Sequence, residues 1–218
     1  MEIDLFEGVY PESKRDTKKV GQTKTTEQII CAKQYGWEYF DKDGISYNGY
    51  TYDGRWIAVA KKFIEYYNLE LNSKILDVGC AKGYFVYDLR NQGMDAYGID
   101  ISQYAIGCSP PIIRQYLLVG NANDLSRFKD KEFDLVVSIT TVHNLLEIEC
   151  RKAIKEIQRV GKRAWIKVDS YRNSNEKKEM FDWNITAETI LSRDDWIKLF
   201  KEEGYTGDYW WTLPGKGY

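Results

Sequence analysis

The 218 residues contain a single histidine, and the four cysteines (Cys31, Cys80, Cys108 and Cys150) include no C-x-x-C pair. Neither a zinc site nor a disulfide framework is therefore indicated, no metal is expected, and reduced thiols of a cytoplasmic protein are. No apolar run reaches membrane-spanning length, and the polar opening segment lacks the apolar core of a signal peptide. Neither an anchor nor a membrane partner is expected. An excess of positive charge is missing as well. A formal net charge of −2 argues against a nucleic-acid partner held by bulk electrostatics. There is no internal repeat or low-complexity segment, and so no repeat architecture.

What remains is an ordinary globular composition, 43% hydrophobic and 29% charged, long enough for one domain with an embellishment. Tyrosine and tryptophan are abundant, at 17 and 7. Residues 1–24 are polar and locally basic, with Lys14, Arg15, Lys18, Lys19 and Lys24, and read either as a solvated arm or as a lid bringing cations to an anionic substrate. Helical spacing follows over 25–39. The stretch 41–56 is rich in Gly and Tyr and reads as a loop or hairpin. Tyr47, Tyr50 and Tyr52 within it suit a pocket wall or aromatic packing of the arm onto the body. The division expected is an arm or lid over 1–52 and a main domain over 53–218.

From residue 53 the pattern becomes α/β. A helix capped by Asp53 or Gly54 runs to Tyr67. Short apolar strands over 74–78, 95–100, 116–119, 133–139, 164–169 and 208–213 alternate with helices over 83–92, from Ser102, 147–160 and 194–203, and a short helix over 120–130. Such alternation predicts a doubly wound, mostly parallel sheet with helices on both faces. Ligands of these sheets sit beyond the strand carboxyl ends.

Residues 74–89, KILDVGCAKGYFVYDL, carry the main motif: a strand, a glycine turn and the start of a helix. Such a turn exposes backbone N–H groups where a ligand can approach closely. The dinucleotide spacing G-x-G-x-x-G is not met, because residues 81 and 84 are Ala and Tyr. What fits is D-x-G-x-G-x-G, with Asp77, Gly79 and Gly83 in place and Ala81 for the middle glycine. Asp100 closes the second strand, where a carboxylate accepts from both hydroxyls of a ribose or caps the helix from Ser102. Asn121 and Ala122 follow the third strand, in a ligand-facing or an ordinary turn. Ser138 and then His143 and Asn144 end the fourth. Lys167, Asp169 and Tyr171 share the rim beyond the fifth.

Taken in order, these features resemble the class I S-adenosylmethionine (SAM)-dependent methyltransferases over about residues 53–213. The resemblance implies a Rossmann-like fold and SAM as cofactor, leaving S-adenosylhomocysteine. It implies contacts to SAM from Asp77, Gly79, Cys80, Ala81, Gly83, Asp100, Ile101, Asn121, Ala122 and Ser138. The family's sheet has seven strands, the last antiparallel. Six are legible, and a seventh lies in 181–192 or is missing. In that fold the segment after the fourth strand floors the site, so His143 is either a candidate base for an acceptor hydroxyl or a hydrogen-bonding residue at a helix start. Tyr50, Tyr52, Arg55, Asn144, Asp169 and Tyr171 are candidate acceptor contacts. YDGRW (52–56), VHNL (142–145) and GYTGDYWW (204–211) are also similar to bacterial small-molecule methyltransferases of surface-polysaccharide gene clusters. The expected activity is therefore O-methylation of a small sugar, nucleotide-sugar or phosphorylated (phosphate or phosphoramidate) precursor. A protein or RNA methyltransferase, or an inactive SAM-binding regulatory protein, are the alternatives. The N/D-P-P-Y/F motif of amino-methylating nucleic-acid enzymes is absent.

Overall fold

The computed structural model of the chain describes residues 1–11, 24–42 and 50–215. Lys14, Arg15, Lys18, Lys19 and Tyr47, singled out above, lie outside the described residues.

The strands are short and apolar because both of their faces are covered. β1 (Lys74–Val78) has every residue after Lys74 buried. It lies between β2 (Asp95–Asp100) and β4 (Leu135–Ile139); β3 (Leu117–Val119) flanks β2, and β5 (Ala164–Tyr171) flanks β4. β6 (Leu191–Ser192) and β7 (Asp208–Thr212) both pair with β5. The seven-stranded order is β3-β2-β1-β4-β5-β6, with β7 off this path, and every pairing is parallel. The order turns at β1, which places the first crevice for a ligand above the β1 and β4 ends. This is the Rossmann-like fold of class I methyltransferases.

Helices α1 (Thr26–Ala32), α2 (Trp37–Phe40), α3 (Arg55–Tyr66), α4 (Tyr84–Asn91), α5 (Gln103–Gly107), α6 (Glu147–Val160), α7 (Ser174–Trp183) and α8 (Arg193–Glu202) surround the sheet. α6 shows why the spacing of its apolar residues is legible: Cys150, Ala153, Ile154, Ile157 and Val160 form one buried stripe. α3 and α4 cover the other face, where Val59, Phe63, Phe85 and Leu89 share a core with Ile75 and Trp165.

Four details depart from the reading above. The segment 25–39 breaks into α1 and α2, with Tyr35 at φ +48° between them. Residues 120–130 hold turns and no helix. The charged stretch after Arg172 is a helix, α7, capped by the Asn173 side chain accepting from Asn175 and Glu176 N–H. The seventh strand does lie within 181–192, as β6, but the last strand, β7, is parallel to β5 rather than antiparallel. The intervening α8 acts as a crossover and returns the chain to the starting edge of the sheet, which a hairpin would not do.

The opening residues belong to the core. Ile3 N–H donates to Tyr209 O (3.0 Å) and Tyr209 N–H to Met1 O (2.9 Å), laying the segment along β7. Leu5 and Phe6 are each 2% exposed, and Phe6 stacks on Trp165 at 5.6 Å with the rings 9° from parallel. Leu5→Ala is expected to lower unfolding free energy by about 2–5 kcal/mol, the usual range for truncating a buried leucine. Urea denaturation measures it; a solvated arm would leave the midpoint unchanged.

Candidate active site

After β1 the chain turns through Gly79 at φ +86°, a conformation that L side chains rarely adopt. A Cβ there would also lie 2.1 Å from Thr141 Oγ1, so glycine lets the β1 and β4 loops touch. The loop is pinned to β2: Gly79 N–H donates to Ile99 O (2.7 Å) and Ala81 N–H to Asp100 Oδ2 (2.8 Å). The other oxygen of Asp100 accepts from Ser102 N–H at 2.8 Å. Ala81 sits at φ +49°, where the family's glycine would be relaxed.

Two carboxyls lie close together here. Burial raises the Asp100 pKa against those two hydrogen bonds. Burial and then the neighbouring Asp100 push Asp77 up to about 8. No cation among the described residues offsets either charge.

Beyond the strand ends lies a cavity of about 710 Å³, within the usual range for small-molecule sites. Asp77, Gly79, Cys80, Ala81, Asp100 and Ile101 line it, followed by Asn121 and Ala122. The Asn121 Oδ1 accepts from Asn123 N–H (3.2 Å), which leaves one lone pair for a ligand. Tyr50, Arg55, Asn144, Asp169 and His143 line the same cavity. Four expected contacts are not brought to it. Gly83, at φ +75°, starts α4 where a Cβ would strike Leu117. Ser138 is wholly buried in the sheet, its Oγ without a partner among the described residues. The Tyr52 hydroxyl turns away to donate to Asp88 (2.7 Å). Tyr171 lies past the rim, under the Lys177 ammonium.

Residues outside those expectations complete the walls. Tyr35, Tyr39 and Phe40 from α1–α2 pack with Tyr50, and the Tyr39 and Tyr50 hydroxyls are 2.9 Å apart. Polar contacts hold this segment over the glycine loop: Lys82 donates to Asp41 (2.5 Å), which also accepts from Tyr104, and Ser102 Oγ donates to Tyr35 O. Their signal in the sequence was only aromatic abundance.

On the far side of β1, the β4 and β5 ends bring His143, Lys167 and Asp169 together. His143 is 3% exposed, and its Nδ1 accepts from Asp169 N–H at 3.0 Å. The ring proton therefore sits on Nε2, which faces Asp169 Oδ2 at 3.5 Å. Burial lowers the His143 pKa, with Asp169 opposing, so the neutral ring prevails at neutral pH. Of the two readings of His143, base or hydrogen-bonding residue, this geometry favours the second, because the Nδ1 lone pair a base would use is engaged. Asp169 Oδ2 also accepts from Asn184 Nδ2 at 2.6 Å.

The sequence of residues 76–164 matches a family model described as a methyltransferase domain. The enzyme is a SAM-dependent methyltransferase. No curated protein matches the chain. Among solved structures, a SAM-dependent methyltransferase from Archaeoglobus fulgidus is similar at TM-score 0.56 and 18% identity, covering 68% of this chain and 66% of that one. One from Methanosarcina mazei is similar at 0.52 and 24%, covering 65% and 82%. The YcgJ protein of Bacillus subtilis is similar at 0.55 and 16%, covering 66% of each chain. At these identities the likeness carries the fold.

The methyltransferase's own residues fit its donor. SAM bears a ribose and an ammonium: Asp100 would accept from the ribose hydroxyls, and a cation beside Asp77 would stabilise its ionised form. Among the described residues no group of three or more His, Cys, Asp or Glu could hold a metal, and no helix is long and apolar enough to cross a membrane.

Two outcomes follow from the glycine loop. Ala81→Gly relieves a left-handed alanine and is expected to raise unfolding free energy by about 1 kcal/mol, read from urea midpoints. Asp77 holds its proton up to about pH 8 in the free protein, and a cationic ligand favours the ionised carboxylate. Binding of S-adenosylhomocysteine, which keeps the ammonium, should then tighten from pH 6 to 8 and release a proton at pH 7. Calorimetry in buffers of different ionisation enthalpy measures both, and Asp77→Asn should abolish the release.

Proposed function

We propose that this methyltransferase O-methylates a small sugar, nucleotide-sugar or phosphorylated precursor of a bacterial surface polysaccharide in the cytoplasm. The observation that carries this reading is the cavity at the strand ends, carboxyl-lined where β1 and β2 finish and walled on the other side by Phe6, Tyr10, Arg55 and Trp56. Aromatic faces beside a guanidinium suit a sugar ring bearing an anionic group. The likeness of YDGRW, VHNL and GYTGDYWW to methyltransferases of surface-polysaccharide gene clusters supports the substrate class.

Asp100 would hold the ribose hydroxyls, and Asn121 and the Ala122 backbone the adenine. When bound, SAM supplies a methyl group already activated by its positive sulfur. The chain's residues then have to align the acceptor and exclude water. Tyr50, Arg55 and Asn144 would orient the acceptor, with Arg55 itself steadied by Asp53, which accepts from its Nη2 at 2.6 Å. His143 enters as a positioning residue that fixes Asp169.

Calorimetric titration with S-adenosylhomocysteine, followed by a screen of sugar phosphates and nucleotide-sugars for methylation, tests the proposal. Binding with turnover of a member of the screen is expected. Binding with methylation only of protein or RNA, or with no methylation of anything, would overturn the substrate class. His143→Ala is expected to keep S-adenosylhomocysteine affinity within about twofold and to lower turnover about tenfold without moving the acid limb of the pH profile, since its imidazole is already neutral there.

A further inference from the structure

With the His143 lone pair engaged by Asp169 N–H, the same wall offers another group able to take a proton. On β5, Trp165, Lys167 and Asp169 alternate onto one face, toward α3 and the opening segment. Lys167 is 1% exposed and lines the cavity, as Asp169 does. A lysine buried to this degree in a central strand is unusual, since long charged side chains normally keep their heads in water. The register fixes its place: Lys167 lies opposite Ile139 of β4 and Trp210 of β7, and its carbonyl accepts from Thr140 N–H (2.9 Å). Its Nζ stands 4.3 Å from the centroid of the Phe6 ring.

We propose that Lys167 is the proton acceptor for a neutral hydroxyl of the methyl acceptor, so that this end of the cavity takes alcohols rather than oxygens that are already anionic. The inference rests on the reading of the cavity as a methyltransferase site. In the step, the acceptor O–H bond breaks and its proton passes to the Nζ lone pair, giving an ammonium. The oxygen bonds the transferred methyl carbon, and the electron pair of the breaking carbon–sulfur bond stays on sulfur. Charge is conserved: the positive charge leaves the sulfur and ends on Lys167.

The surroundings of Nζ fit that task. The carboxylates of Asp169 on the same strand and Asp4 on the opening segment favour the ammonium, as does the Phe6 ring face. Burial opposes them and is the largest influence, bringing the lysine down to about 7. The neutral His143 ring packs at the β4 end; Ile139 and Trp210 bring no charge from the strands on either side. Lysine is therefore neutral in part of the population at pH 7 and can take a proton, while the two carboxylates steady the ammonium it becomes.

The test combines a titration with a pH profile. In protein uniformly labelled with ¹³C and ¹⁵N, the Lys167 Cε signal is the one lost in Lys167→Arg, and its shift is followed from pH 5 to 11. A midpoint near 7, against about 10.4 for surface lysines, supports the proposal. A midpoint near 10 overturns it, because a permanently charged lysine is an anion clamp. Lys167→Met preserves length and should leave S-adenosylhomocysteine affinity within about threefold. With a nucleotide-sugar turned over in the screen, the wild-type rate should rise through an acid limb near pH 7. In Lys167→Met the limb should vanish and turnover fall by about 10²-fold or more, the usual worth of a general base. Retained turnover with the limb intact overturns the proposal, and so does a wild type that methylates only anionic oxygens. Failure of the wild type to bind S-adenosylhomocysteine would instead remove the underlying reading of the cavity. If binding holds but no acceptor is turned over, the Cε midpoint decides.

Discussion

One carboxylate organises the carboxyl edge of this sheet. Asp100 ends β2 with both oxygens engaged by backbone, one on the glycine loop at Ala81 and the other on the start of α5 at Ser102. Three elements are thereby held at one point, and the loop is forced close enough to β4 that residue 79 has no room for a side chain. The cost is a buried acid beside a second one, Asp77, in surroundings that disfavour charge on either. Such a local departure from the most stable arrangement is usual where a protein builds a binding site.

The two halves of the cavity differ in origin. The half proposed for the donor is made by the ends of β1, β2 and β3, whose backbone geometry follows from the sheet. The acceptor half is assembled from β4 and β5, the opening residues with Phe6, and the segment around α1 and α2. Its polar groups come as a set: Asp169 accepts a hydrogen bond from Asn184 and is held by His143, and Lys167 shares the same strand face. Burial of these side chains strengthens those interactions, because the surrounding dielectric is lower than that of water.

The sheet was readable because parallel strands buried on both faces leave dense apolar runs, and α6 because its stripe of five buried residues keeps helical spacing. The donor loop was readable for a similar reason: Gly79 and Asp100 answer to backbone geometry, which leaves a pattern in one stretch of chain. Ser138 and Gly83 show the limit. Both stand where the family motif expects a contact, yet Ser138 points into the sheet and Gly83 is required by packing against Leu117. The acceptor half was less readable because its residues meet only in three dimensions. Tyr35, Tyr39 and Phe40 lie within a stretch whose helical spacing hides the break at Tyr35, and Leu5 and Phe6 sit in a segment whose charges dominate its composition. The charge within IKVD on β5 was visible as a polar rim, but burial and the His143 hydrogen bond change what those groups can do.

The segment carrying α1 and α2 is fastened largely by a few polar ties, such as Lys33 to Glu188 and Lys82 to Asp41, and by aromatic edges rather than by strands of the sheet. Such a fastening lets that wall vary residue by residue without disturbing the strand ends on the other side of the cavity. Divergence among related chains should accordingly concentrate in the aromatic roof, and chemical novelty in this lineage can arise without any renegotiation of the fold.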